Sequence, residues 1–174
     1  MTEMRIKLML ALLLVCSSAP AQGPFSSYCK QAGDAPFILI SKDNLTLDLV
    51  DANGESIKQY RIACSKYYGN KLKKGDNKTP EGTFKINELL NSKSLTHDFR
   101  DGKGPIRGAY GPWFLRLSVP GFIDIGIHGT HLPESIGTRA TEGCIRLRNE
   151  DILDLKERVK LGTPVIILPD SKTE

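Results

Sequence analysis

The 174-residue chain is poor in aromatic residues, which make up 7% of it, and it contains one tryptophan and three histidines. Its net charge is +4, and its Lys and Arg residues alternate with Asp and Glu along the chain. Nucleic-acid-binding proteins commonly carry a basic stripe with interleaved aromatic side chains, and this sequence has no such stripe. The composition therefore disfavours nucleic acid as a partner, whereas an anionic polymer outside the membrane remains compatible with it.

Long hydrophobic runs are also lacking. The apolar run at residues 8–15 is too short to cross a bilayer as a helix. It follows Arg5 and Lys7 and precedes small residues that end at Ala21. This order predicts a secretory signal peptide over residues 1–21, cleaved after Ala21. We therefore expect a protein secreted across the inner membrane, in the periplasm or cell envelope.

Cysteine is scarce, with four residues in the whole chain. Cys16 leaves one alternative open, because the residues before it resemble a degenerate lipobox, and its lipidation would anchor the protein. If cleavage instead follows Ala21, Cys29, Cys64 and Cys144 remain. Pairing of Cys29 with Cys64 in an oxidising compartment would leave Cys144 as a free thiol. The alternative is that Cys29 and Cys64 are buried and unpaired.

The sequence contains 40% hydrophobic and 25% charged residues. This composition and the chain length are typical of a single globular domain that buries a hydrophobic core. Short apolar or alternating runs separated by Gly, Pro and Asn-Gly turns predict a mostly β chain that begins with a meander. The predicted strands are residues 36–41, 45–50, 56–64, 82–87, 112–119, 122–129 and 163–168. The polar segment 91–110 is predicted to be a long surface loop, of the kind that often serves as a lid or a binding loop.

One helix is predicted, from about Glu150 to Leu161. Asn149 suits its N-cap, and Gly162 suits its C-terminal stop. Apolar side chains recur on one face, so that face is expected to pack on the sheet.

The stretch HGTHLPESIGTRATEGCIRL, at 128–147, holds the residues that could carry chemistry. A nucleophilic cysteine needs a base and backbone N–H donors for the oxyanion that forms on attack. His128 could be that base for Cys144, Gly143 permits close backbone approach, and Arg146 adds positive charge that favours a thiolate. Spacing alone leaves open a buried structural cysteine beside a hydrogen-bonded histidine.

A metal site is the other alternative for this stretch. His128, His131 and Cys144 could be ligands, but zinc needs four protein ligands or three with a water. No second cysteine or carboxylate stands at ligand spacing, so we expect no metal. His131 is expected at the surface of a loop, and His97, in the 91–110 segment, is expected to be solvated.

The motifs HGT (128–130) and TEGCIRL (141–147) resemble the active-site signature of the L,D-transpeptidase (YkuD-type) catalytic domain. TPEGTFKI (79–86) and YGPWFLRL (110–117) resemble two further segments of that family, in the same order. The resemblance implies a mainly β, β-sandwich-like YkuD-type domain with one packed α-helix near the C-terminus. That domain would span residues 35–170, with residues 22–34 as an N-terminal extension.

The resemblance implies a cysteine-dependent L,D-transpeptidase that acts on peptidoglycan stem peptides without a cofactor. Cys144 matches the nucleophile that forms a thioester, and His128 matches the general base, oriented by the carbonyl of Gly129. The N–H groups of Gly143 and Cys144 would stabilise the oxyanion. A side-chain amine of a second stem would then resolve the thioester and cross-link two third-position residues. Water in that role gives an L,D-carboxypeptidase or endopeptidase instead, and a structural Cys144 would leave a non-catalytic cell-wall-binding module.

The remaining candidate substrate contacts are Arg146, Thr130, Thr141, Glu142 and Trp113, although a tryptophan in an apolar strand is commonly part of a core. Glu142 departs from the family pattern, which usually has histidine before Gly-Cys. A carboxylate sharing a dry site with the thiol would raise the pKa of that thiol. The Glu142 side chain could instead point away or pair with Arg139 or Arg146, which puts the choice of acceptor in doubt more than the nucleophile. We expect the protein to be a monomer.

Overall fold

The computed structural model describes residues 23–172, so the predicted signal peptide and Cys16 lie outside the described residues. The fold is mainly β, as predicted, and is built on one curled sheet of eight strands. In order along the chain, these strands are β1 (Phe37–Ser41), β2 (Thr46–Val50), β3 (Ser56–Arg61), β5 (Gly82–Asn91), β8 (Trp113–Leu117), β9 (Gly126–His128), β11 (Ile145–Arg146) and β12 (Pro164–Ile167). The other elements are the paired strands β4 (Cys64–Ser65) with β10 (Arg139–Thr141) and β6 (Thr96–His97) with β7 (Ile106–Arg107), helices α1 (Ser26–Ala32) and α2 (Asn149–Arg158), and a 3₁₀ turn at Pro133–Ser135.

The strand order in the large sheet is β11-β9-β8-β5-β12-β1-β2-β3. The predicted meander is confirmed, because β1, β2 and β3 are consecutive antiparallel neighbours. Two pairs within this sheet are parallel, namely β1 with β12 and β9 with β11. The second parallel pair lies at the edge of the sheet and brings two distant parts of the predicted signature side by side.

The two-residue alternation of strand side chains explains how the sheet is buried on both faces. In β1, Ile38 and Ile40 belong to the larger hydrophobic core, whereas Phe37 and Leu39 belong to a smaller cluster on the opposite face. Helix α2 adds Ile152 and Leu155 to the larger core, as predicted from its apolar face. Helix α1, which the sequence did not predict, covers the smaller cluster.

Helix α2 differs from its predicted ends. Arg148, not Asn149, occupies the N-cap position, and no side chain caps the helix there. The Asn149 side chain instead accepts a hydrogen bond of 2.8 Å from the backbone N–H of Thr130, so a tertiary contact takes the oxygen that a cap would use. The helix ends at Arg158, with Val159 as an extended C-cap, and Gly162 lies in the turn before β12.

The 91–110 segment is not structureless, because β6 and β7 pair within it as a short antiparallel hairpin. Cys29 and Cys64 are both buried and unpaired, which confirms the alternative to a disulfide. Within residues 23–172, no helix has the length and apolar character needed to cross a membrane.

Candidate active site

The parallel pair β9 and β11 brings His128 and Cys144 to one cleft. Arg146 in β11 lies opposite His128 in β9, and Ile145 lies opposite Ile127. Cys144 immediately precedes β11, and the parallel register places it beside Gly126 at the start of β9. Both side chains line a cleft of about 910 Å³. The fold thus assembles the predicted nucleophile and base from residues 16 positions apart.

The His128 ring is positioned by one hydrogen bond and two aromatic contacts. Its Nδ1 lies 2.6 Å from the carbonyl oxygen of Gly129, its ring stacks on Phe114 at a centroid distance of 5.4 Å, and Tyr110 packs edge-on at 5.0 Å. Burial lowers the pKa of His128 to about 3, an effect that the bond to Gly129 opposes. At neutral pH the imidazole is therefore uncharged, with Nδ1–H donating to Gly129 and Nε2 left to accept a proton.

Cys144 is half-buried, and its thiol donates to the backbone carbonyl of Asp124 over 3.2 Å. Burial raises the pKa of the Cys144 thiol to about 11, against a hydrogen bond from Gly126 and the charge of Arg146, which favour the thiolate. The resting pair is therefore a neutral thiol and a neutral imidazole. If Cys144 is the predicted nucleophile, its deprotonation must accompany attack, which is the task of a general base.

The turn before Cys144 needs glycine. Gly143 has φ +136°, and a Cβ there would lie 2.7 Å from the carbonyl oxygen of Lys78. Thr141 braces this turn, since its Oγ1 donates to the Cys144 carbonyl over 2.7 Å and accepts from the Gly143 N–H over 3.3 Å. The Gly143 N–H is thus engaged inside the turn, and its use as an oxyanion donor stays a prediction.

Arg146 brings a buried cation to the cleft. The residue is 4% exposed, and its Nη1 donates to the hydroxyl of Ser135 over 2.9 Å. Its Nε is buried without a hydrogen-bond partner, and no carboxylate in the described part of the chain forms an ion pair with it. An unpaired buried charge is costly, so this guanidinium is suited to an anionic group supplied by a ligand.

Glu142 lines the same cleft but pairs with neither predicted arginine. Arg139 bonds to Asp170 instead. The Glu142 carboxylate lies 3.1 Å from Nε2 of His97, and Nδ1 of His97 lies 2.9 Å from the Tyr110 hydroxyl. The expectation that His97 is merely solvated is therefore wrong, because the β6–β7 hairpin carries it to the cleft. The irregular 91–110 sequence offers no periodicity that could have placed it there.

Two predicted substrate contacts do not reach the cleft. Thr130 is buried in its loop, where its N–H bonds to Asn149 and its Oγ1 accepts from the Leu132 N–H over 2.8 Å. Trp113 packs against the core, with the Lys156 ammonium 4.8 Å from its ring centroid. Both residues therefore support the structure around the signature, and Arg146, Thr141 and Glu142 are the predicted contacts that line the cleft.

His131 is not among the residues that line the cleft, and its Nδ1 lies 3.1 Å from the carbonyl oxygen of Ala109. Among residues 23–172, no three His, Cys, Asp or Glu side chains are grouped so as to hold a metal ion.

The chain is similar in sequence to known proteins over most of its length. The chain is 35% identical over 130 residues to YkuD of Bacillus subtilis strain 168, a protein whose name places it among the L,D-transpeptidases, and the match covers 75% of this chain and 63% of that relative. A second Bacillus subtilis protein with such a name, YqjB, is 28% identical over 141 residues, which cover 79% of this chain and 74% of YqjB.

The fold is similar to that of solved L,D-transpeptidases. The catalytic domain of the E. faecium L,D-transpeptidase superimposes with a TM-score of 0.54 at 19% identity, over 78% of this chain and 98% of that one. The cell-shape-determining protein Pgp2 of Campylobacter jejuni gives a TM-score of 0.60 at 21% identity, over 83% of this chain and 54% of that one. Residues 35–167 match the L,D-transpeptidase catalytic domain, and the chain belongs to that family.

Proposed function

We propose that the protein is an exported L,D-transpeptidase that acts on peptidoglycan stem peptides through a thioester on Cys144. The observation that carries this proposal is the shared cleft of Cys144 and His128, in which Nδ1 of His128 is bound to Gly129 and Nε2 is left to act as a base. Family membership supports the reaction class.

In the first half-reaction, the Cys144 thiol passes its proton to Nε2 of His128 as Sγ attacks the carbonyl carbon of the donor peptide. The oxygen of the tetrahedral intermediate is stabilised by backbone N–H groups around Cys144. The C–N bond then breaks, and the imidazolium returns the proton to the departing amine of the terminal D-residue. The products are an acyl-Cys144 thioester and a free D-amino acid.

In the second half-reaction, a side-chain amine of another stem attacks the thioester carbonyl. The C–S bond breaks, an amide forms, and the thiol of Cys144 is restored with a proton delivered through His128. The neutral resting state of both groups suits this cycle, because a neutral imidazole accepts a proton in each half-reaction.

Incubation with a disaccharide tetrapeptide, followed by mass spectrometry of the products, tests the proposal. A dimer that has lost one terminal D-residue is the expected product, whereas tripeptide alone would establish hydrolysis. Cys144→Ala should abolish both products. Cys29→Ala is the matched control, because Cys29 is buried in the separate cluster under α1. Equal turnover by Cys144→Ala and wild type would overturn the proposal.

Export is part of the proposal and is supported by the basic, apolar and small-residue order of residues 1–21. The mass of the protein recovered from the cell envelope tests it. Cleavage after Ala21 is the expected result, and a lipid-modified Cys16 would establish anchoring instead. Full-length protein in the cytoplasm would contradict export.

A further inference from the structure

Glu142 contributes a charge to the cleft that no arginine or lysine in residues 23–172 neutralises. Its side chain is 42% exposed, and its carboxylate lies 3.1 Å from Nε2 of His97. One arrangement of hydrogens satisfies all three linked groups: the Tyr110 hydroxyl donates to Nδ1 of His97, and Nε2–H of His97 donates to Glu142. In that arrangement the carboxylate accepts a hydrogen bond without receiving a proton, so it keeps its negative charge.

The position of this carboxylate is fixed from two sides. Glu142 precedes Gly143 and Cys144 in the chain, so it moves with the turn that presents the thiol. His97 belongs to the β6–β7 hairpin, and Tyr110 packs edge-on against the His128 ring with centroids 5.0 Å apart. Glu142 is thus tied through two hydrogen bonds to a side chain that contacts the base. Such a tie holds a charge at a set place beside the reacting atoms.

The cleft carries both a buried cation and exposed anions, which indicates a ligand with groups of both signs. Arg146 is a buried cation whose Nε has no partner, which is an independent sign that the cleft takes an anionic group. Glu142, Asp98 and Asp124 line the cleft as anions, and of these Glu142 precedes the thiol by two residues. Lys71, Lys74 and Arg100 also line the cleft as cations, and of these Lys71 is already paired with Asp76 at 2.7 Å. A ligand with both a carboxylate and an ammonium group would satisfy Arg146 and Glu142 together.

We propose that Glu142, held by His97, binds the primary ammonium group of the acyl acceptor, so that an amine rather than water resolves the thioester on Cys144. This inference rests on the proposed function and assigns to Glu142 the choice of acceptor. His97 is a positioning residue in this account, because it acts through Glu142.

The bound ammonium gives one proton to Glu142 and becomes a nucleophilic amine, which attacks the thioester carbonyl. His128 takes a second proton from the attacking nitrogen and delivers it to Sγ of Cys144 as the C–S bond breaks. Glu142 then releases its proton to water. An ammonium and a thioester are consumed, and an amide, a thiol and one proton are formed.

The test measures how the acyl-enzyme divides between acceptors. The full chain is acylated with the disaccharide tetrapeptide and then offered the amide of Nα-acetyl-lysine, which carries a primary ammonium, or hydroxylamine, which is uncharged at neutral pH. For each acceptor, the ratio of captured to hydrolysed acyl product is measured by mass spectrometry. This ratio does not depend on how fast the acyl-enzyme forms, so an effect on acylation cannot imitate the expected result.

The variant is Glu142→Gln, which keeps the size of the side chain and an oxygen for His97 but removes the charge. The expected result is a loss of about tenfold or more in the ratio for the lysine derivative, with the hydroxylamine ratio unchanged. Glu134→Gln, in the exposed 3₁₀ turn, is the matched control for loss of a negative charge. Equal ratios for Glu142→Gln and wild type would overturn the inference, as would an equal loss with both acceptors. A wild-type protein that forms no adduct at all would instead overturn the proposed function.

Discussion

The carbonyl oxygen of Asp124 lies 3.2 Å from Sγ of Cys144, so the thiol donates its hydrogen to the protein's own backbone at rest. Together with burial, this contact favours the protonated thiol, whose pKa is raised to about 11. In the proposed mechanism, Cys144 is therefore latent as a nucleophile until His128 and a substrate act on it. This differs from cysteines that rest as thiolates beside an imidazolium.

The latent thiol predicts a particular pH dependence of alkylation. The rate of iodoacetamide reaction at Cys144 should rise about tenfold per pH unit from about pH 6 to about pH 9, because the reactive thiolate grows in that proportion below the pKa. Peptide mapping identifies the alkylated residue, and circular dichroism verifies that the fold persists at each pH. A rate that levels off near neutral pH would show a resting thiolate and contradict the account.

The neutral His128 predicts acid sensitivity of the fold. Its folded pKa of about 3 lies below the ordinary value of 6.5, so the unfolded chain binds a proton in this window that the folded protein does not. The free energy of unfolding should therefore be intact above about pH 6.5 and fall as the pH drops toward 3, by up to about 3 kcal/mol at pH 4 from this residue.

The comparison that isolates this effect is His128→Asn, whose side-chain N–H can still donate to Gly129. Urea unfolding is measured from about pH 7 to about pH 4 for both proteins. The stability difference between wild type and variant should shift in favour of the variant as the pH falls. Parallel curves across that range would show that His128 titrates normally in the folded protein.

The turn at Gly143 predicts a stability cost for any side chain there. Gly143→Ala should destabilise the protein by about 2 kcal/mol or more, because the added Cβ meets the Lys78 carbonyl and the backbone has a positive φ. Gly162→Ala is the matched control, since Gly162 also has a positive φ, at +86°, but has open space around it. Equal losses in the two variants, measured by urea unfolding, would show that the contact with Lys78 contributes nothing.

The buried Arg146 predicts a defect in acylation. Arg146→Lys should lower the rate of adduct formation with tetrapeptide by about tenfold to a hundredfold, because a hydrogen bond to a charged group contributes about 1.5 to 3 kcal/mol. Ser135→Ala removes the hydrogen-bond partner of Nη1 but keeps the guanidinium. This variant therefore distinguishes the support that Ser135 gives to Arg146 from the charge of Arg146 itself. If Ser135→Ala lowered the rate of adduct formation as much as Arg146→Lys, the position of the guanidinium, and not its bond to the substrate, would explain the effect of Arg146.

Strands and core were predictable because their pattern is local. Leu47 and Leu49 alternate with polar neighbours in β2 and share one face of the sheet, as period-two spacing requires. The end of α2 was not predictable in the same way, because the Asn149 side chain has two possible partners. Only the folded loop shows that the Thr130 N–H, and not the helix itself, takes its oxygen.

In the candidate site too, some residues were predictable from a local pattern and others were not. Cys144 and His128 follow from a motif within one stretch of sequence, and pairing of β9 with β11 brings them together. His97 comes from a hairpin whose sequence is polar and irregular, and its contact with Glu142 spans 45 residues. Contacts of that range depend on tertiary packing, which propensity and periodicity do not encode.

In the proposed reaction Cys144 carries the acyl group, and the mass of the intact protein after brief exposure to tetrapeptide measures this. We expect an added mass equal to that of the donor minus the released free D-amino acid, mapped to Cys144 and removed by hydroxylamine at neutral pH, as a thioester requires. An adduct on another residue, or product formation by Cys144→Ala at the wild-type rate, would contradict it.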